Sequence, residues 1–140
     1  MKLYQRLEKW SYMLRYRAIY EEMKYHIKLA KKDKIDHYLK KIYRDDRGIG
    51  KTYSLVQLAV KYNIPIIVPT YQWKNTIEKH TGMFLPPHLR KNSKPIVLHA
   101  GTNFRGHRFD IVLVEEGLSD EQMALLHNVA KHIIGYRNIY

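Results

Sequence analysis

The sequence predicts an α/β protein: a small, mainly parallel β-sheet with helices, preceded by a helical and basic N-terminal extension. Three observations carry this expectation. After residue 37, short apolar runs alternate with helix-period segments, the order of strands joined by crossover helices. Residues 3 to about 31 hold apolar side chains at three- and four-residue spacing without Gly or Pro. The charge is uneven: of 25 Lys and Arg and 13 Asp and Glu, residues 1–44 hold 13 and 5. At 140 residues the chain has room for one core. The expected division is therefore a basic extension, 1–37, on a compact unit, 38–140, in a single domain.

Each element has its own signal. In the extension, Leu3, Leu7, Trp10, Leu14 and Ala18 mark one apolar stripe, and Tyr16, Tyr20, Met23, Ile27 and Ala30 mark a second, slightly rotated one. Both have the spacing of a buried helix face, and the rotation fits one long helix or two with a bend near residues 16–19. Asp33 and Lys34 end the pattern, and Asp36 is a turn or N-cap residue. "YLKKIYR" (38–44) reads as a short strand, although Lys40 and Lys41 do not suit a buried central position. "YSLVQLAVKYN" (53–63) is helical, "IPIIVP" (64–69) is a strand, and "WKNTIEKH" (73–80) is helical again. A connector with three prolines (82–95) leads to the strand-like "PIVLHA" (95–100). "DIVLVEEG" (110–117) is the most apolar strand, and "SDEQMALLHNVAKHII" (119–134) is expected as a helix with Ser119 as N-cap and Glu121 or Gln122 in its first turn.

Composition narrows the function classes. There are no cysteines, which excludes structural disulfides, Cys-based zinc sites and thiol catalysis, and fits a cytoplasmic location. No apolar run is long enough to cross a bilayer, and "MKLYQRLEKW" is too charged for a secretory signal. None of the eight histidines has a partner at helical ligating distance, so no transition-metal site is expected. The net charge of +12, concentrated in the first third among seven of the twelve tyrosines, points to a polyanion, most often nucleic acid. The same pattern also fits helices that pack by tyrosine while their lysines reach solvent.

The stretch "RDDRGIGKTYS" (44–54) carries the chemistry. A phosphate loop has the form G-x-x-x-x-G-K-[ST], and Gly50, Lys51 and Thr52 supply its second half, with Asp45 where the first glycine would stand. Such a loop works through backbone N–H groups that curl around a phosphate at a helix N-terminus, where side chains would obstruct the approach. Gly48, Ile49, Gly50, Lys51, Thr52 and Tyr53 are the candidate cradle. Lys51 is placed to reach the β- and γ-phosphates and Thr52 to offer its hydroxyl to Mg²⁺. About 60 residues later, four apolar residues end in Glu115 and Glu116. A strand of this form delivers its first carboxylate to a Mg²⁺ shell and its second towards an attacking water.

These two stretches resemble P-loop NTPases of the class with an extra catalytic glutamate. "RGIGKTY" is similar to the Walker A stretch of bacteriophage DNA-packaging ATPases, the terminase large subunits and small packaging ATPases, in which an arginine often stands four residues before the lysine, as Arg47 does. "IPIIVPTYQW" resembles the strand and loop after their phosphate-loop helix, and "FRGHRFDIVLVEEG" their approach to Walker B. The resemblance covers residues 41–118. It implies a three-layer P-loop core and hydrolysis of ATP with Mg²⁺, coupled to movement along DNA. By position, Lys51 and Thr52 would hold phosphate and Mg²⁺, Glu115 would support the metal, Glu116 would be the catalytic glutamate, and Arg47 a γ-phosphate sensor. The 24 residues after Glu116 leave room, at "YRNIY", for one further short strand such as the family inserts between its Walker A and Walker B strands.

Three activities stay in play: an ATPase on DNA, one subunit of a ring or with a partner subunit completing the site; a DNA-binding accessory module that binds nucleotide without turnover; and, least favoured, a nucleotide kinase. DNA contacts are expected from the basic N-terminal region and from Arg105 and Arg108, which otherwise read as solvated charges. Tyr71 and Trp73 either stack on bases or pack the core.

Overall fold

Five apolar runs become the strands of one sheet, and the computed structural model describes residues 2–43, 51–80, 95–101, 104 and 106–138. The elements run α1 (Leu3–Lys31), β1 (His37–Ile42), α2 (Lys51–Tyr62), β2 (Ile66–Val68), α3 (Tyr71–Lys79), β3 (Val97–His99), β4 (Phe109–Val114), α4 (Asp120–His127) and β5 (Ala130–Asn138). The strand order is β1-β5-β4-β2-β3, and every adjacent pair is parallel. A parallel sheet is stable only with both faces covered, and alternate residues here feed two apolar clusters. Ile66, Val68, Ile111, Leu113, Ile134 and Tyr136 join the cluster that contains α1, α2 and Ile77 of α3. Ile67, Val112, Val114 and Ile133 join the one that contains Leu126 of α4. The chain is thus an α/β protein with a small all-parallel sheet and helices on both faces.

The edges explain the weaker strand signals. β1 is an edge strand, so its lysines need no central slot: Lys41 is exposed, and Lys40 pairs with Glu22 of α1 at 3.0 Å. Burial opposes charge on Glu22, but hydrogen bonds from Tyr38 and Lys40 hold its carboxyl below the usual value. Helix ends follow local chemistry. Asn63 (φ 54°) closes α2, with Ile64 N–H donating to the Ala59 carbonyl at 2.9 Å. Ser119 caps α4 reciprocally with Gln122.

Two expectations are corrected. The segment 119–134 is not one helix: α4 stops at His127, and Ala130–Asn138 is a nine-residue strand between β1 and β4. Local propensity yields there to two ladders of backbone hydrogen bonds, and the close fit rests on Gly135. A Cβ at that position would stand 2.1 Å from the Val114 carbonyl oxygen. The first apolar stripe of the extension is also not a buried face. α1 is one continuous helix, but it meets the core only from about Tyr16, whose hydroxyl donates to Gln57 of α2 at 2.8 Å. Ile19, Met23, Ile27 and Ala30 are buried, whereas Leu3 is 74% exposed and Leu7, Trp10 and Leu14 are also open. The reason is length: a 29-residue helix runs about 44 Å, and the sheet and α2 are too short to cover it.

No helix among the described residues is long and apolar enough to cross a membrane. Replacing Gly135 with Ala is expected to destabilise the fold by about 3 kcal/mol, because backbone rather than a mobile side chain must yield. Urea unfolding followed by circular dichroism checks this.

Candidate functional site

Ligands of open α/β sheets sit outside the carboxyl ends of the strands, and Lys51, Thr52, Glu115 and Glu116 gather there. β4 continues its ladder one residue past its end, with Glu115 N–H donating to the Ile67 carbonyl at 3.0 Å. This fixes the Glu115 side chain, which is 2% exposed, at the middle of the sheet edge. The chain then turns through Gly117, whose φ of +99° favours glycine. The described part of α2 begins at Lys51, and Lys51 and Thr52 lie over the same edge. Thr52 Oγ1 donates to Glu115 Oε2 at 2.5 Å. Lys51 Nζ stands 3.6 Å from Glu116 Oε1, and Lys51 is 7% exposed. Two residues of one motif meet two of the other across more than 60 positions of sequence. Tyr53 follows on α2 and packs edge-on against Tyr16 at 5.2 Å, so its side chain serves the α1 interface. Arg47, Gly48, Ile49 and Gly50 lie outside the described residues, as does Arg105.

The electrostatics are dominated by Glu115. Burial pushes its carboxyl up to about 7. The Thr52 hydroxyl works against this, the Glu116 charge adds to it, and the Trp73 indole and Lys51 ammonium oppose it. Glu115 Oε1 and Glu116 Oε2 are both buried and have no hydrogen-bond partner among the described residues. A buried, unsatisfied carboxylate oxygen is costly, and a cation or a donor from a ligand would relieve it.

The residues present fit a Mg²⁺ ion. A threonine hydroxyl and a carboxylate are hard oxygen donors, and this ion usually takes only one or two protein ligands, with phosphate and water completing the set. No group of three or more His, Cys, Asp or Glu side chains forms a metal cluster among the described residues.

Sequence reasoning gave one neighbour, Trp73, another role and missed the polar groups at the end of β5. Trp73, in the first turn of α3 and partly exposed, stands beside Glu115. Its signal was its place just after a strand end, where Thr70 caps the helix by accepting from Trp73 N–H at 3.2 Å. Tyr136 donates to the Lys51 carbonyl at 3.4 Å. Asn138 closes β5 opposite Ile42, and its Oδ1 is buried with no hydrogen-bond partner among the described residues. The latter two were hidden because the beginning of β5 read as helix. Two other candidates stand apart from the site. Tyr71 is exposed and meets His99 edge-on at 5.7 Å. Arg108 precedes β4 and donates to the Asn128 carbonyl at 3.0 Å. It therefore lies roughly 23 Å along the strand from Glu115. A cavity of about 540 Å³ on the α4 side, lined by Leu39, Met123, His127 and Arg137 among others, contains none of the four paired residues.

A second cluster is cationic. At the far end of α2, Lys61 approaches Lys24 and Lys28 of α1, with Glu21 as the one opposing charge among its named neighbours. Desolvation, followed by the charges of the two lysines, holds Lys61 below its usual value. Lys31 and Lys61 carry their ammonium groups 4.3 and 5.6 Å from the centre of the Tyr62 ring.

No family model matches the chain, and comparison with curated proteins and with solved structures gave no significant match.

The Glu115 carboxyl makes stability pH-dependent in a defined direction. Its pKa is raised from 4.5 to about 7 in the folded protein, so the unfolded chain releases this proton at lower pH. The contribution is therefore lost as pH rises from about 4.5 through about 7, by up to about 3 kcal/mol. Glu115→Gln should be more stable than wild type at pH 8 and similar to it at pH 4. Urea unfolding of both proteins at the two pH values measures the difference.

Proposed function

We propose that this chain is an ATP-binding P-loop protein, a Mg²⁺-dependent ATPase that acts on DNA. The observation that carries the reading is the double pairing at the sheet edge, Thr52 with Glu115 and Lys51 with Glu116. A lysine and a hydroxyl on the first turn of a helix, facing consecutive acids at the end of a buried strand, are the parts a phosphoryl-transfer site needs. The strand order supports it as well: β5 lies between the strand ahead of the glycine loop and the strand that ends in the acids.

In this reading Lys51 exchanges Glu116 for the phosphate oxygens and neutralises charge as it develops. Thr52 and Glu115 hold the metal, which supplies charge neutralisation at the phosphates when bound. Glu116, released from Lys51, orients a water for attack at the γ-phosphorus and accepts its proton as the bond to ADP breaks. Gly48, Ile49, Gly50 and Tyr53 would contribute backbone N–H groups, and Arg47 would contact the γ-phosphate. These roles rest on sequence.

A second reading, a nucleotide-binding DNA module without turnover, is favoured by one feature. Lys51 and Glu116 already hold each other, and a site closed in this way binds nucleotide without obliging it to react. The two readings separate in one experiment. Wild type is expected to bind fluorescent ATP and to release phosphate, faster with DNA. Lys51→Ala should weaken ATP binding at least about tenfold, and Glu116→Gln should retain binding while losing about a hundredfold or more in turnover. Binding without phosphate release under every DNA condition selects the module, and no ATP binding at all rejects both.

DNA is assigned to the lysine cluster of α1 and α2, where like charges are already crowded and phosphates would relieve them. Replacing Lys24, Lys28 and Lys61 together with Glu should lower DNA affinity and flatten its dependence on salt by about three phosphate contacts. Fluorescence anisotropy with a labelled duplex at several salt concentrations reads both effects. Deleting α1 would not be a fair substitute, because Met23 and Ile27 belong to the core.

A further inference from the structure

The first four turns of α1 stand clear of the sheet and carry a seam. Leu3, Leu7, Trp10 and Leu14 follow one another at steps of four, three and four, and all are more than half exposed. At 100° per residue they fall within about 60° of the helix surface. These four form the narrow seam of helix pairing. Met13 adds apolar surface about 60° beyond Trp10, but Arg6 and Arg17 fall between them, so the wide, continuous apolar face of a helix lying on a bilayer is not formed. The seam spans about 18 Å, three turns, and ends where the next position at the same spacing is Arg17. Trp10, Met13, Leu14 and Arg17 line a shallow groove of about 210 Å³ there, three apolar walls closed by a guanidinium.

We propose that this seam docks an amphipathic helix of another protein, one whose apolar stripe is flanked by carboxylates. Charge selects the occupant. Residues 2–18 hold five Lys and Arg against Glu8 alone. A second copy of this chain would set basic flank against basic flank, and in a parallel pair would place the two Arg17 side chains face to face. An acidic flank instead offers Arg6 and Arg17 their counter-charges while the leucines and Trp10 interdigitate. DNA phosphates would match the charge but leave three leucines uncovered. The inference goes beyond the nucleotide reading and does not depend on it, because the seam lies outside the sheet edge.

The test uses the full chain and two synthetic helical peptides, each with leucines at alternating three- and four-residue steps, one flanked by Glu and the other by Lys. Binding is read by anisotropy of the labelled peptides. The Glu-flanked peptide is expected to bind, and the Lys-flanked peptide at least about tenfold more weakly. Leu7→Asp, at an exposed position that does not endanger folding, should reduce binding at least about tenfold. Arg17→Glu should weaken the Glu-flanked peptide and strengthen the Lys-flanked one. Thermal unfolding of both variants should match wild type. The proposal is overturned if neither peptide binds, if both bind equally, or if Leu7→Asp has no effect. It is also overturned if the chain instead binds vesicles of phosphatidylcholine and phosphatidylserine through this seam. A sedimenting dimer that Leu7→Asp dissociates would overturn it too, by assigning the seam to a second copy.

Discussion

A carboxyl group buried at the end of a strand is the constraint around which this molecule is arranged. Glu115 is held by the β4 ladder in a place with almost no water, and its neighbours divide into those that favour its charge and those that oppose it. Thr52, Trp73 and Lys51 favour ionisation, whereas burial and Glu116 oppose it. Such a group costs stability wherever it is left alone. Its two oxygens are treated differently: one accepts from Thr52, and the other lacks a hydrogen bond of good geometry among the described residues, with the Trp73 indole standing near the carboxyl. The arrangement is half satisfied, which suits a place where a ligand completes the set.

The sheet delivers that arrangement by spacing its strands. β5 separates β1 from β4, so the segment after β1 and the acids after β4 approach across one intervening strand. Gly135 lets β5 fit against Val114, and Tyr136, the next residue, reaches the backbone at Lys51. The strand that completes the sheet therefore also supports the first turn of α2. Packing and site share the same few residues, and a change in the middle of β5 would be felt at both.

α1 shows the division of labour along a single helix. Its second half belongs to the core, with Met23 and Ile27 fully buried and Glu22 tied to β1. Its first half has the same period and no surface to meet. Seven of the large exposed hydrophobic side chains lie within Leu3–Leu14, which concentrates apolar surface on one projecting rod instead of scattering it. The lysines that gather near Lys61 occupy yet another part, at the base of the helix pair and away from the carboxylates. One small domain thus presents a polar sheet edge, a cationic base and an apolar seam at separate places.

Much of this was legible in the sequence, because it is set by local rules. Alternating apolar runs and helical periods gave the α/β class, the apolar run before Glu115 gave β4, and the period of 53–63 gave most of α2. What local rules could not decide was anything settled by a neighbour. "AKHII" continued a helical run, whereas "YRNIY" had room for a strand; the whole of Ala130–Asn138 became one strand because two backbone edges were open on either side of it. The poor strand signal of "HYLKKI" was correct for an edge, a position that no single segment specifies about itself. Trp73 stands beside Glu115 because the helix after β2 begins where β4 ends. The apolar stripe at Leu3–Leu14 had the period of a buried face, yet burial requires a second surface, and the length of a sheet is a property of the whole fold. Sequence determined most of the elements and the order in which they alternate; only the tertiary structure decided that 130–138 is a strand and which faces meet, because pairing and contact are made by surfaces that no one stretch of chain contains.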